Sequence, residues 1–242
     1  MRVVGIIPSR YASTRLPKKS LKILGNKSIV QHVYEKAKQV ELFDDVIIAT
    51  DHEEIMQEIE RFGGNGMMTS DQHETGTDRI AEVAQKIECD IVVNIQGDEP
   101  FIKPITIQRC FEPLINDQKI VMATLKHLID DAKEIEDPNV VKVVTDINDN
   151  ALYFSRSPIP FYRIETDVKY YRHIGIYAFQ REFLIEFADM PQTPLARIES
   201  LEQLRALENG YKIKVLSTED HPLGIDTEED YQKAKKIMKD QE

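Results

Sequence analysis

An α/β fold built on a mostly parallel, doubly wound sheet is predicted by three features of this sequence. Short, β-branched apolar runs alternate with segments of helical periodicity through the first hundred residues, the pattern of strand–helix–strand units with right-handed crossovers. Most of those runs end on a polar tip: Pro8-Ser9-Arg10, Ala49-Thr50-Asp51 and Gln96-Gly97-Asp98-Glu99, with Gly224-Ile225-Asp226-Thr227 much later. In a parallel sheet such ends converge on one crevice. Between 140 and 179 the runs are separated by turn residues instead, as at Asn148-Asp149-Asn150, which predicts an antiparallel insertion.

The elements follow in order. Val3-Val4-Gly5-Ile6-Ile7 is a buried strand closed by Pro8. The loop after it carries Arg10, Arg15, Lys18 and Lys19, with Pro8 and Pro17 stiffening its ends. Ser28 N-caps a helix over 28–40. A second strand covers 45–51, a helix 53–62 stops at Gly63-Gly64, and a short strand covers 66–69. His73-Glu74-Thr75-Gly76-Thr77-Asp78-Arg79 leads into a helix over 80–87, and 91–95 is the next strand. In the second half, strands are expected at 121–125, 140–144, 151–156, 173–179 and 211–216, and helices at 198–209 and 228–239. No repeat, linker or low-complexity tract divides the chain, so a single domain over 1–242 is expected.

Composition narrows the function. The chain has 242 residues, 41% hydrophobic and 30% charged, which suits a globular protein with a sizeable core. Net charge is −11, so a nucleic-acid partner is not expected, and an anionic substrate would need local cations or a metal to overcome the overall field. No apolar run is long enough to span a bilayer and no leader pattern precedes the first strand; no membrane partner and a cytoplasmic location are the expectations. Cys89 and Cys110 match neither a metal spacing nor a disulfide framework and are expected to be free thiols.

Several residues admit two readings. The loop cations are a phosphate clamp or a solvated basic patch. Asp98, after a buried strand and a glycine, suits Mg2+, which takes one or two carboxylates plus substrate phosphates, or it forms a turn. Asp226 is a second ligand or the N-cap of the last helix. Thr75, Gly76 and Thr77 offer N–H groups before a helix, a geometry for anions, while Asp78 there suits the macrodipole. Arg79 serves an anion or pairs with Glu82. His173 is a hydrogen-bonder in a strand or a site residue, Glu202 and Gln203 lie on a pocket or on a solvated face, and Arg156 binds an acid or ends strand pairing.

Nine stretches in order carry a family resemblance: IPSRYASTRLPKKSL, IIATD, HETGTDRIAE, VVNIQGDEP, DPNVVKVV, ALYFSRSPIP, HIGIYAF, ESLEQLRALENG and GIDTEED. Over essentially its whole length the chain resembles the 3-deoxy-manno-octulosonate (Kdo) cytidylyltransferases. The resemblance implies a Rossmann-like nucleotidyltransferase sheet with the insertion forming a homodimer interface. It implies CMP transfer from CTP to the anomeric hydroxyl of Kdo, with pyrophosphate released, for lipopolysaccharide synthesis. A related acid, an amino-substituted Kdo or a sialic acid, is the alternative substrate. By position it implies that Arg10 and Lys19 hold the triphosphate and act with Asp98 and Asp226, the Mg2+ ligands, in catalysis. Ala49, Asp51, Thr75, Gly76 and Gln96 fall in nucleotide-binding stretches. Arg15, Arg79, Gln96, Arg156, His173, Tyr177, Glu202 and Gln203 fall in stretches for the sugar acid.

Overall fold

The structure, a computed structural model, describes residues 1–12, 15–164 and 169–239. They form two compact units, Met1–Gln108 with Pro222–Glu242, and Arg109–His221.

The first unit contains β1 (Val3–Ser9), the short strands β2 (Ile23–Leu24) and β3 (Lys27–Ser28), α1 (Ile29–Ala37), β4 (Asp45–Thr50), α2 (Glu53–Arg61), β5 (Gly66–Met68), α3 (Gly76–Lys86) and β6 (Ile91–Asn94). A terminal helix, Glu228–Lys239, belongs to it as well. β1 pairs in parallel with β4, from Val4 opposite Asp45 to Ser9 opposite Thr50, and on its other side with β6, from Val3 opposite Ile91 to Ile6 opposite Asn94. β5 continues in parallel from β4. The spatial order is therefore β6-β1-β4-β5. The chain builds outward from β1 to β5, then returns to the far side of β1, so the order reverses between β1 and β6. Ligands of open α/β sheets bind at that reversal. Val3, Val4, Ile6, Ile7, Val46, Ile47, Ile48, Ile91, Val92 and Val93 are all buried, the unbroken apolar pattern of strands covered on both faces.

Local chemistry sets the helix starts. Ser28 caps α1 by accepting from Gln31 N–H. α3 begins at Gly76, four residues before the predicted start at 80, because Thr75 and Asp78 form a reciprocal capping box. A separate apolar cluster of Leu16, Leu24, Ile29, Ile225, Tyr231 and Ala234 packs the base of the first loop against the terminal helix. Within it the backbone N–H of Ile225 donates to Asp98 O at 2.9 Å, which seats the 224–227 turn beside the tip that follows β6.

α4 (Pro104–Asn116) leads into the second unit. That unit holds β7 (Met122–Leu128), α5 (Ala132–Glu136), β8 (Lys142–Thr145), β9 (Ala151–Ser155), β10 (Tyr171–Gln180), α6 (Arg181–Asp189), α7 (Pro194–Glu199), α8 (Leu204–Glu208) and β11 (Lys214–Ser217). β10 is antiparallel to β7 and to β8, β8 is antiparallel to β9, and β11 is parallel to β7. The antiparallel insertion expected between 140 and 179 is thus present. The helix predicted over 198–209 is instead two, α7 and α8. Ser200 adopts a left-handed conformation (φ 51°) and its N–H closes back on α7, so the helical ladder stops there. Cys89 and Cys110 are thiols outside any disulfide among the described residues, as expected, with Cys110 fully buried.

Candidate active site

A cavity of about 350 Å³ opens at the sheet reversal of the first unit. It is lined from the end of β1 and its loop by Pro8, Ser9, Arg10, Arg15, Lys19 and Ser20, and from the approach to α3 by His73, Glu74, Thr75, Gly76 and Arg79. Gln96, Gly97, Asp98 and Asp226 complete it. Nine of the residues singled out in the sequence therefore share one concave surface: Arg10, Arg15, Lys19, Thr75, Gly76, Arg79, Gln96, Asp98 and Asp226. Gly97 is required by a close approach, since a Cβ there would lie 2.8 Å from the Pro8 carbonyl oxygen. That contact brings the tips of β1 and β6 together.

Charge is concentrated at one side. Lys19 Nζ lies 2.5 Å from Asp98 Oδ2 and 2.9 Å from Asp226 Oδ1. Burial pulls the Lys19 ammonium pKa down, but the Asp98 and Asp226 carboxylates more than offset this and hold it above the ordinary lysine value. Arg15 Nη2 reaches Asp226 Oδ2 at 3.0 Å. The reading of Asp226 as a helix N-cap is not what the structure shows. Thr227 and Asp230 cap the terminal helix reciprocally: Asp230 N–H donates to Thr227 Oγ1 at 3.2 Å, and Thr227 N–H donates to Asp230 Oδ2 at 3.0 Å. The Asp226 carboxylate is left facing Lys19 and Arg15.

Two aspartates that converge on a single cation fit a divalent metal. Among the described residues no group of three or more His, Cys, Asp or Glu side chains could hold one, so a metal here would complete its shell with substrate oxygens and water. That donor set suits Mg2+ bound with phosphates, and not a closed structural site.

Other cations and acids hold the cavity wall in place. Arg79, only 3% exposed, pairs with Asp51 Oδ2 at 2.8 Å and donates to Thr69 Oγ1 and Ser70 O. It does not take Glu82, the partner its spacing on the helix offered. Glu82 instead receives Lys86, Ser70 N–H and His73. Burial pushes the Glu82 carboxyl up, and those partners bring it down to about 2. Asp51 also accepts from Tyr11 N–H at 3.1 Å, so it ties the first loop to the α3 wall. Ala49 is fully buried in β4, opposite Pro8. Lys18 sits in a left-handed turn (φ 53°) with its ammonium 2.8 Å from Glu54 Oε2 and over the Tyr11 ring. The hydrogen bonds with Glu54 and then Tyr11 raise its pKa. Tyr11 in turn stacks on His52 at 3.5 Å. Lys18, counted with the loop cations in the sequence, thus braces the loop. Tyr11, His52 and Glu54 are the braces that sequence reading missed, because partners 40 residues apart leave no local pattern.

The remaining residues lie in the second unit. His173 Nε2 is 2.9 Å from Thr124 Oγ1, which is itself within hydrogen-bond reach of Ile176 O and Ile174 O. The single hydroxyl proton goes to a carbonyl, so Nε2 carries the imidazole proton and Nδ1 presents a lone pair. Burial and then the Arg172 charge push the His173 pKa down to about 3. Tyr177, 5.3 Å from His173 between ring centres, has its phenol pKa pushed up by burial, then by Glu202 and Cys110. Both rings are therefore neutral hydrogen-bonding groups at pH 7. Gln203 is buried, and its Nε2 has no hydrogen-bond partner among the described residues; an orphaned buried donor of this kind suits a ligand oxygen. Glu202 lies 3.8 Å from Arg205. Arg156 has a use that neither sequence reading offered. Its Nε donates to Glu199 O, its Nη1 to Pro138 O, and its backbone N–H to the Glu199 carboxylate. It clamps the end of β9 to the end of α7.

Comparison with known proteins places these features. The cytidylyltransferase family profile matches residues 4–213. The chain is 49% identical to the 3-deoxy-manno-octulosonate cytidylyltransferase of Trichlorobacter lovleyi over 99% of both chains. It is 50% identical to that of Pelobacter propionicus, over 97% of this chain and 96% of the relative, and 49% identical to that of Fusobacterium nucleatum, over 99% and 98%. Among solved structures it is similar to a CMP:2-keto-3-deoxy-manno-octonic acid synthetase complexed with CTP, with a TM-score of 0.96 and 40% identity over the whole of both chains. A putative glucose-1-phosphate thymidylyltransferase from Bacillus anthracis, at 20% identity and a TM-score of 0.69, shares the fold. Profile, near-full-length identity and a matching fold agree: the chain belongs to the 3-deoxy-manno-octulosonate cytidylyltransferase family.

Proposed function

We propose that this chain transfers CMP from CTP to the anomeric hydroxyl of Kdo, giving CMP-Kdo and pyrophosphate. The observation that carries the reading is the cavity in which Arg10, Arg15 and Lys19 meet Asp98 and Asp226 at the sheet reversal. A nucleoside triphosphate needs that density of positive charge in a protein whose net charge is −11.

The chemistry is an in-line displacement at the α-phosphorus, in which positioning and charge neutralisation do most of what the protein must do. Arg10 and Lys19 bind the triphosphate from the first loop. The start of α3 at Thr75 and Gly76 turns the positive end of the helix dipole toward the phosphates or ribose, while Thr75 N–H stays bound to the Asp78 carboxylate. Asp51 acts behind that wall by fixing Arg79 and the loop, and Gln96 stands beside the metal aspartates. Mg2+ held by Asp98 and Asp226 would neutralise phosphate charge and lower the pKa of a bound hydroxyl. In the second unit, neutral His173 and Tyr177, with Gln203 and Glu202, are the hydrogen-bonding set proposed for the hydroxyl-rich sugar acid, and Arg156 supports them as a structural clamp.

The same proposal carries lipopolysaccharide synthesis as the use of the product, a cytoplasmic location because CTP is consumed, and a homodimer. Exposed Leu152, Phe161 and Ile164 in the second unit support the last point. No helix among the described residues is long and apolar enough to cross a membrane. The test is pyrophosphate release with CTP, Mg2+ and Kdo, run beside amino-substituted Kdo and a sialic acid. Turnover with Kdo at the highest kcat/KM is expected; absence of release with Kdo refutes the proposal.

A further inference from the structure

Three of the four carboxylate oxygens of Asp98 and Asp226 are held by side-chain cations. Lys19 Nζ takes Asp98 Oδ2 at 2.5 Å and Asp226 Oδ1 at 2.9 Å, and Arg15 Nη2 takes Asp226 Oδ2 at 3.0 Å. The two carboxylates carry two negative charges, and Lys19 and Arg15 bring two positive ones, the charge of one divalent ion. The side chains and a metal thus compete for the same oxygens, and exchanging one for the other leaves the local charge unchanged. Lys19 holds the stronger position. Its side chain is 17% exposed and Asp98 is 23% exposed, whereas Arg15 is 64% exposed. Partly desolvated, charge-assisted bonds are the strong ones, and an exposed pair contributes little.

We propose that Lys19 is an internal counter-ion that keeps divalent cations off Asp98 and Asp226 until a nucleoside triphosphate arrives, so that metal and nucleotide enter the site together. The proposal rests on the assignment of the two aspartates as metal ligands. A triphosphate in the cavity supplies what Lys19 needs in order to let go. Its ammonium passes from the carboxylates to phosphate oxygens, the carboxylates pass to the metal, and every charge stays paired throughout. Without the phosphates, a metal on the aspartates would leave the ammonium partly buried beside a second cation, an uncompensated charge that is costly to hold. Lys19 therefore guards the metal ligands first and binds phosphate second.

Binding of Mn2+ as a probe, followed by its electron paramagnetic resonance in nucleotide-free enzyme, tests this directly. Lys19→Gln is expected to bind Mn2+ about tenfold more tightly than the wild type, equivalent to about 1.4 kcal/mol, and adding Asp98→Asn to that variant is expected to remove the gain. Lys19→Gln with wild-type or weaker Mn2+ affinity overturns the counter-ion role. If in that case Asp98→Asn still abolishes Mn2+ binding in the presence of CTP, the metal assignment survives on its own. A Lys19→Gln protein that keeps its Mn2+ site after Asp98→Asn places the metal elsewhere and overturns both. Lys19→Met, close in length and without the charge, is read if Lys19→Gln does not fold. A comparable tightening supports the proposal, and no tightening overturns it.

Discussion

Replacing Asp51 with asparagine removes the charge that faces Arg79 and keeps nearly the same shape. In the wild type the guanidinium, 3% exposed, lies 2.8 Å from Asp51 Oδ2. Breaking a buried ion pair by removing one partner costs about 3–5 kcal/mol, because the other charge is left buried and uncompensated. Arg79 keeps its bonds to Thr69 Oγ1 and Ser70 O, so the lower end applies, about 3 kcal/mol. For a chain of this size 1 kcal/mol corresponds to roughly 2–4 °C in Tm, so a drop of about 6–12 °C is expected. Urea and thermal midpoints measure it, and a double-mutant cycle with Arg79→Met isolates the pair. Because Asp51 also holds Tyr11 N–H and Arg79 lines the cavity, KM for CTP is expected to rise as well. A loss below about 1 kcal/mol, the value of an exposed pair, would show that Asp51 and Arg79 do not form the buried anchor described here.

Three further outcomes follow from the same geometry. Gly97→Ala places a methyl group against the Pro8 carbonyl oxygen; a cost of about 1–3 kcal/mol in urea midpoint and a fall in kcat/KM on the order of 10–100-fold are expected, and unchanged values would remove the close approach as a requirement. Asp98→Asn is expected to slow pyrophosphate release by roughly 100-fold or more, from the several kcal/mol a metal supplies to charge neutralisation; a near-wild-type rate with full Mg2+ response contradicts its assignment. The His173 pKa is pushed down from 6.5 to about 3. The unfolded chain therefore binds the extra proton first as the pH falls, so this contribution to stability is complete above about pH 6.5 and is lost progressively toward pH 3. NMR titration should show the His173 imidazole still neutral at pH 5, and a midpoint near 6 rules out this downward shift.

Much of the first unit was legible in the sequence because its signals are local. Unbroken apolar runs, the Ser28 cap and the tip Gln96-Gly97-Asp98 each specify their own stretch of backbone. The helix predicted over 198–209 failed where a single residue, Ser200, turns left-handed, a choice that short-range periodicity does not reveal. The contacts of Arg79, Arg156 and Lys18 escaped for another reason. Each cation has several chemically suitable acids or carbonyls within reach of its sequence, and burial selects among them. Arg79 takes Asp51, 28 residues away, and passes over Glu82 three residues on: its buried guanidinium lies against Asp51, Thr69 and Ser70, while Glu82 is occupied by Lys86, Ser70 N–H and His73.

The sequence by itself determined that cationic and acidic strand tips exist, that they belong to parallel strands, and which family's motifs they match. It could not determine which charges meet, because that depends on where the order of strands reverses and on distant segments seated side by side. Only the tertiary structure, by hydrogen-bonding Ile225 to Asp98 and capping the last helix with Thr227, brought Asp226 to Asp98 and set Lys19 between them. The physical reason is that strand and cap signals act within a few residues, whereas pairing of partly buried charges is decided by a low-dielectric neighbourhood that exists only once the chain has folded.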